Sequence, residues 1–186
     1  MKIYIKNMVC SRCKMIVKSV LGNMGLHYNY VQLGEADITD NLSDNALYHL
    51  KIALSDYGLE LLEDKKSILI EKIKNIIIEM IHYSDESPEI KFSIYLSDKL
   101  NYDYTYLSNL FSKVKGTTIE QFIILHKIER VKKMLVYTEN TLFEISRKLR
   151  FSSVQHMINQ FKKTTGLTPA DFKKTKQKRF IALDTL

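Results

Sequence analysis

The sequence predicts two domains: an α+β domain of order β-α-β-β-α-β, then an all-α domain with two helix-turn-helix units joined by a long helix. Three observations carry this expectation. Apolar residues alternate in the first strand, whereas from Ser67 onward the hydrophobic period is helical and stays so. A stretch of the C-terminal half repeats itself at an offset of 50 residues. Residues 1–66 hold eight Lys/Arg and eight Asp/Glu, so the whole net charge of +7 falls on the remaining 120 residues. A neutral half joined to a basic half suggests that one binds a polyanion while the other has a separate task.

The elements follow in order. In 2-KIYIK-6, Ile3 and Ile5 share one face, which is strand periodicity. After the turn 7-NMVCSRC-13, Val17, Val20, Leu21 and Met24 recur at helical spacing, and Gly22 and Gly25 mark the helix end. The run 27-HYNYVQL-33 reads as a strand, Gly34-Glu35 as a tight turn and 36-ADIT-39 as the hairpin partner. Ser43 is placed to cap a helix with Leu47, Leu50, Ile52 and Leu54 on its buried side, ending near Gly58. The short strand 59-LELLE-63 completes the split βαβ arrangement, and the boundary is expected at residue 64.

Helices are expected at about 67–83, 92–100, 104–114, 119–137, 141–149, 153–163 and 169–175. Residues 65–88 form a connecting helix and linker with a break at 84-SDESP-88, residues 89–178 form the second domain, and 173-KKTKQKR-179 is a basic tail. The connecting helix carries more apolar positions than one stripe needs (Ile73, Ile76, Ile77, Met80, Ile81), enough to pack on both domains or on a second chain. The repeat aligns 107-LSNLFSKVKGTTIEQF-122 with 157-MINQFKKTTGLTPADF-172: Phe111 meets Phe161, Gly116 meets Gly166, Thr118 meets Thr168 and Phe122 meets Phe172. Upstream, Leu96, Leu100 and Tyr102 answer to Ile145, Leu149 and Phe151 at an offset of 49. Each copy is a helix, a tight turn and a second helix pinned by a Phe.

Two such units separated by a rigid helix suit double-stranded DNA, whose major-groove faces recur about 34 Å apart. Residues 119–137 would span roughly 28 Å at 1.5 Å per residue. The run 94–174, ending in 157-MINQFKKTTGLTPADF-172, resembles the DNA-binding domain of AraC/XylS-family transcription regulators, across both units and the helix between them. The resemblance implies base contacts from Thr105, Ser108 and Asn109 on the first recognition helix and from Gln155, Ile158 and Asn159 on the second. Helix geometry agrees, with Leu107, Leu110 and Phe111 in the first core and Met157 and Phe161 in the second, and Val154 on the outer face. Asn and Gln pair bidentately with adenine, and the methyls of Thr105, Val154 and Ile158 suit thymine, so an A·T-leaning site is expected. Lys113, Arg147, Lys148, Lys162 and Lys163 read as phosphate partners, which position without specifying. The family usually has Gly where this chain has Arg150. Either Arg150 is left-handed, at roughly 1 kcal/mol relative to Gly, or the turn has relaxed.

Cys10 and Cys13 are the only cysteines. A C-x-x-C turn opening a helix brings two thiols together where the helix dipole favours thiolate. Three readings stay open: a metal site, a redox pair, or two small buried residues in a packing module. The motif M-V-C-S-R-C after the first strand resembles the M-x-C-x-x-C of heavy-metal-associated domains, which have a ferredoxin-like fold. That resemblance implies Cu(I), or Zn(II), as the ion held by Cys10 and Cys13. Here Asn7 stands where that family commonly has Gly, and Arg12 lies between the thiols.

Other classes find little support. The cluster 68-ILIEKIKNIIIEMI-81 is too polar to span a membrane, and MKIYIKN lacks a secretory core, so a cytoplasmic protein with no membrane partner is expected. No convergent acid/base pair, activated nucleophile or phosphate loop is present, so no enzyme is expected. The five histidines are scattered, and His126 and His156 on the helices read as satisfied or solvated. The function expected is sequence-specific transcription regulation, with RNA polymerase as a further partner if it activates, and metal or thiol responsiveness in the first domain. The rival is a metallochaperone-like or thiol-redox protein whose basic half docks a partner.

Overall fold

Alternation in the first strand sets the N-terminal unit. In the computed structural model, which describes residues 1–83 and 91–174, β1 (Lys2–Lys6) buries Ile3 and Ile5 and turns Lys2, Tyr4 and Lys6 to the other face. The chain continues through α1 (Ser11–Asn23), β2 (Tyr28–Gln32), β3 (Glu35–Ile38), α2 (Asp44–Ser55) and β4 (Glu60–Leu62). The four strands form one sheet of order β2-β3-β1-β4 in which every neighbouring pair is antiparallel. Ile3 lies opposite Ala36 and Ile5 opposite Leu61, so the apolar residues of three strands share one face. Val17 and Leu21 of α1 and Leu50 and Leu54 of α2 close over it as a single core.

Local chemistry explains the helix limits. Ser43 Oγ accepts the backbone N–H of Ala46 at 3.2 Å and starts α2 as an N-cap. Ile52, expected on the buried side, is instead 44% exposed. It stands two residues, about 200° of helix, from Leu50, whereas Leu47, Leu50 and Leu54 keep the three- and four-residue spacing of one face. Asp64 Oδ2 accepts from the Ser67 N–H at 2.7 Å and opens α3 (Lys65–Ile78). The expected single helix to residue 83 changes pitch: Glu79–Tyr83 is a π-helical turn. The chain divides into its two units inside α3, between Ile76 and Ile77.

Gly34 shows how α3 is held within the first unit. Its φ is +76°, and a Cβ built there would run into Asn75 Nδ2 of α3, so only glycine allows both the turn and the close approach. Lys72 Nζ sits 4.6 Å above the Tyr4 ring. Lys74 and Glu71 form a buried ion pair at 2.8 Å.

The second unit is helical, with α4 (Phe92–Leu100), α5 (Tyr104–Lys115), α6 (Ile119–Tyr137), α7 (Leu142–Lys148), α8 (Val154–Thr165) and α9 (Pro169–Lys174). The expected break at 84–88 and the tail beyond Lys174 lie outside the described residues. The 19-residue α6 has the limits that its period indicates, because Thr118 and Gln121 form a reciprocal capping box at its start. Near that start Phe122 meets Phe111 edge-on at 5.4 Å. Further along, Ile128, Val131, Met134 and Leu135 join Ile145, Leu149, Met157, Phe161 and Phe172 in one core. The π-helical turn rests on the same helix, with His82 Nε2 3.3 Å from His126 Nδ1 in a buried pair.

Candidate nucleic-acid interface

The repeat in the sequence is a repeat in space. Asp103 caps α5 by accepting the N–H groups of Thr105 and Tyr106 at 2.7 and 3.3 Å, and Ser153 caps α8 by accepting that of His156 at 3.0 Å. Both helices end on a left-handed glycine, Gly116 at φ +68° and Gly166 at φ +78°, whose N–H returns to Ser112 and Lys162 respectively at 2.9 Å. Thr118 and Thr168 then open the next helix in each copy. Phe161 meets Phe172 at 5.5 Å, as Phe111 meets Phe122.

From Tyr104 to Phe111 and from Val154 to Phe161 the burial classes agree position by position. Leu107 and Met157 are buried, as are Phe111 and Phe161. Thr105 and Gln155, Tyr106 and His156, and Asn109 and Asn159 are exposed, while Ser108 and Ile158 are half-buried at the edge of that face. The sequence-predicted base-contacting residues therefore form two matching sets, one on each helix. Leu110, expected in the first core, is half-buried because it flanks the Leu107–Phe111 stripe. Val154, expected outward, packs half-buried against the second core, and Tyr104 at the matching place donates its hydroxyl to Glu120 Oε1 at 2.6 Å. Burial and that carboxylate push the Tyr104 hydroxyl far above the ordinary tyrosine range. Sequence reasoning left out Tyr106 and His156 as members of the exposed faces; the offset of 50 applied to one would have found the other.

The basic residues expected at phosphates, Lys113, Arg147, Lys148, Lys162 and Lys163, are all exposed. Arg147 lies over the Phe143 ring at 5.9 Å, and Lys148 Nζ reaches Asn140 Oδ1 at 3.5 Å. Arg150 is left-handed, at φ +48°. Its N–H bonds the Arg147 carbonyl and the Phe151 N–H bonds that of Ser146, both at 3.0 Å, so α7 ends in a Schellman turn with arginine in the glycine place. Lys127 of α6 donates to the Arg150 carbonyl at 3.2 Å and lies 5.1 Å from the Phe151 ring, which holds the turn to the core.

In the first unit, Cys10 is the N-cap of α1 without a side-chain capping bond, and its Sγ lies 3.2 Å from Cys13 Sγ. Burial pushes the Cys10 thiol up, but hydrogen bonds from Cys13 and the Arg12 backbone, together with the Arg12 charge, hold it below the ordinary thiol value. Burial and the neighbouring Cys10 thiol raise Cys13. Asn7 is left-handed at φ +66°, a conformation that asparagine tolerates better than most residues, which accounts for it in a glycine place. Met8 is fully buried in the sheet core. Among the described residues no group of three or more His, Cys, Asp or Glu is arranged to hold a metal ion. Two soft donors alone suit Cu(I) better than tetrahedral Zn(II), which takes four ligands in structural sites.

Comparison with known proteins agrees with this geometry. Residues 96–175 match the family described as helix-turn-helix domain. The chain is 29% identical over 107 residues to the HTH-type transcriptional regulator YtdP of Bacillus subtilis, covering 58% of this chain and 14% of YtdP. It is 31% identical over 68 residues to the bifunctional transcriptional activator/DNA repair enzyme AdaA of the same organism, covering 37% of this chain and 32% of AdaA. It therefore spans less than a third of either curated relative. Among solved structures it is similar to the C-terminal domain of AraT, a response regulator from Geobacillus stearothermophilus, with TM-score 0.51 and 20% identity over 63% of this chain and 91% of that one. Residues 96–175 thus match a helix-turn-helix domain, and the curated relatives that the chain resembles are a transcriptional regulator and a transcriptional activator.

Proposed function

We propose that this chain is a cytoplasmic transcription regulator that binds double-stranded DNA through α5 and α8 and carries a ferredoxin-like, heavy-metal-associated-like accessory domain. The observation that carries the reading is the agreement of burial over 104–111 and 154–161, the first two turns of two capped helices held by one 19-residue helix. Each helix presents one exposed polar face of the kind that enters a major groove, and exposed lysines follow at each C-terminal end, where they fit phosphates. RNA polymerase is a further partner where the regulator activates. The reading assigns the chain no catalytic activity. It is tested by measuring binding to a selected duplex and to random-sequence DNA over a range of salt. Sequence-specific binding that survives rising salt better than random binding supports it; equal, steeply salt-dependent binding to both would leave only a basic surface.

For the first domain, the strand order β2-β3-β1-β4 and the asymmetric thiol pair favour a site for a soft ion at Cys10 and Cys13. Cu(I) bound there would add a positive charge to the start of α1, and Arg12 would oppose it, so the thiolates supply the whole attraction. Titration of the reduced protein with Cu(I) and Zn(II), beside the Cys10→Ser/Cys13→Ser variant, checks this. Cysteine-dependent uptake that shifts DNA affinity makes the domain a sensor. Equal uptake by the variant would reduce it to a packing module.

A further inference from the structure

The exposed faces of α5 and α8 share a burial pattern but differ in their wiring. On α8 the polar side chains are tied to one another. Gln155 Nε2 donates to Asn159 Oδ1 at 2.9 Å. On the adjacent row Ser152 Oγ lies 2.8 Å from His156 Nδ1, and Gln160 Nε2 lies 3.4 Å from His156 Nε2. On α5, Ser108 Oγ turns back to the carbonyl of Thr105 at 3.2 Å, and Tyr106 stacks on Tyr102 with ring centroids 5.5 Å apart. Among the described residues nothing joins Thr105 to Asn109, the pair that matches Gln155 and Asn159.

We infer that Gln155 and Asn159 read DNA as one fixed unit, and that α8 supplies most of the base discrimination while α5 supplies contact with little. The chemistry follows from which atoms are already engaged. Asn159 Oδ1 commits one of its two lone pairs to Gln155, which fixes the amide's orientation and leaves the Nδ2 hydrogens as its freer group, so Gln155 is the better placed of the two for the two-point contact with adenine. Gln155 keeps Oε1 and its second N–H, the acceptor and donor that adenine N6 and N7 require. Asn159 is thus a positioning residue for the Gln155 amide. It also donates to an acceptor on the next base, O6 or N7 of guanine or O4 of thymine. A pre-ordered amide loses less rotamer freedom on binding than Thr105 or Asn109, which must be ordered at the encounter. This narrows the sequence expectation, in which each Asn and Gln pairs with its own adenine.

The inference rests on the DNA-binding reading, and one experiment separates the two. The whole chain selects from a pool of duplexes with about 30 randomised base pairs, enough for two half-sites a helical turn apart. Wild type is run beside Asn159→Asp, Asn159→Ala and Asn109→Ala. The expected consensus has one sharp half-site, with adenine next to guanine or thymine, and one shallow half-site. Asn159→Asp still accepts from Gln155, so it should keep the adenine and turn its neighbour toward the donor edges of cytosine or adenine. Asn159→Ala should relax both positions together, each by about ten- to a hundredfold, whereas Asn109→Ala should change any position by less than about threefold. Two equally sharp half-sites, or an Asn159→Ala variant that keeps the adenine, would overturn the inference. Selection of no consensus at all would instead defeat the DNA-binding reading itself.

Discussion

The buried pair of His82 and His126 makes the second unit sensitive to acid in a way that can be worked through. Burial, then the charges of His126, Lys133 and Arg130, lower the His82 imidazole from 6.5 to about 3 in the folded protein. The folded state therefore takes up its proton far later than the unfolded chain as pH falls. Stability from the neutral pair is fully present above pH 6.5 and is lost progressively toward pH 3. Between pH 7 and pH 5 the unfolded His82 gains most of a proton and the folded one almost none, which amounts to a loss of about 2 kcal/mol. Urea unfolding followed by far-ultraviolet circular dichroism at the two pH values measures it. The control is His82→Gln, which keeps an amide donor for His126 but cannot titrate. Its stability at pH 7 should be lower than wild type, and its further loss on going to pH 5 should be smaller by about 2 kcal/mol. If wild type and His82→Gln lose the same amount over that range, the linkage reasoning is refuted.

Other expectations concern packing and backbone. Phe161→Ala empties a fully buried site facing Phe172 and should cost about 3–5 kcal/mol, with Phe111→Ala close behind; thermal melts of the two variants check both. Arg150→Gly relieves a left-handed arginine and should stabilise by up to about 1 kcal/mol, and a lower melting temperature would contradict the turn described here. Gly34→Ala forces a Cβ onto Asn75 at a positive φ and should destabilise by more than 1 kcal/mol, about as backbone strain implies. Adding Asn75→Ala should return the steric share but not the strain, so a double variant as stable as wild type would mean the strain is absent.

Much of this was legible because period and punctuation agree. The limits of α6 follow from Thr118, Gln121 and an uninterrupted helical period, and the repeat could be read from Phe, Gly and Thr placed 50 residues apart. What failed was local direction. Ile52 is apolar but points outward, because a residue's type does not say which side of a helix it occupies when neighbours at three- and four-residue spacing already fill the buried face. The π-helical turn at Glu79–Tyr83 leaves no mark in composition. Nor do the buried pairs Glu71–Lys74 and Glu129–Lys132, which look in sequence like ordinary solvated i,i+3 pairs until the surroundings are known. The engagement of Gln155 with Asn159 was visible as spacing, but which atom donates to which is a fact of conformation.

The long helix α6 serves two cores, giving Phe122 to one and Ile128 through Leu135 to the other, and so binds two unlike reading heads into one covalent body. A symmetric dimer reads a palindrome, which looks the same from either end. Two different heads in fixed chain order read a site that has a front and a back, and the bound molecule then faces one way along the duplex. Both heads sit on one chain, so a single molecule placed on such a site would fix both contacts and a direction along the duplex at once. A regulator that works in this way would act on a promoter only when the site points in the right direction.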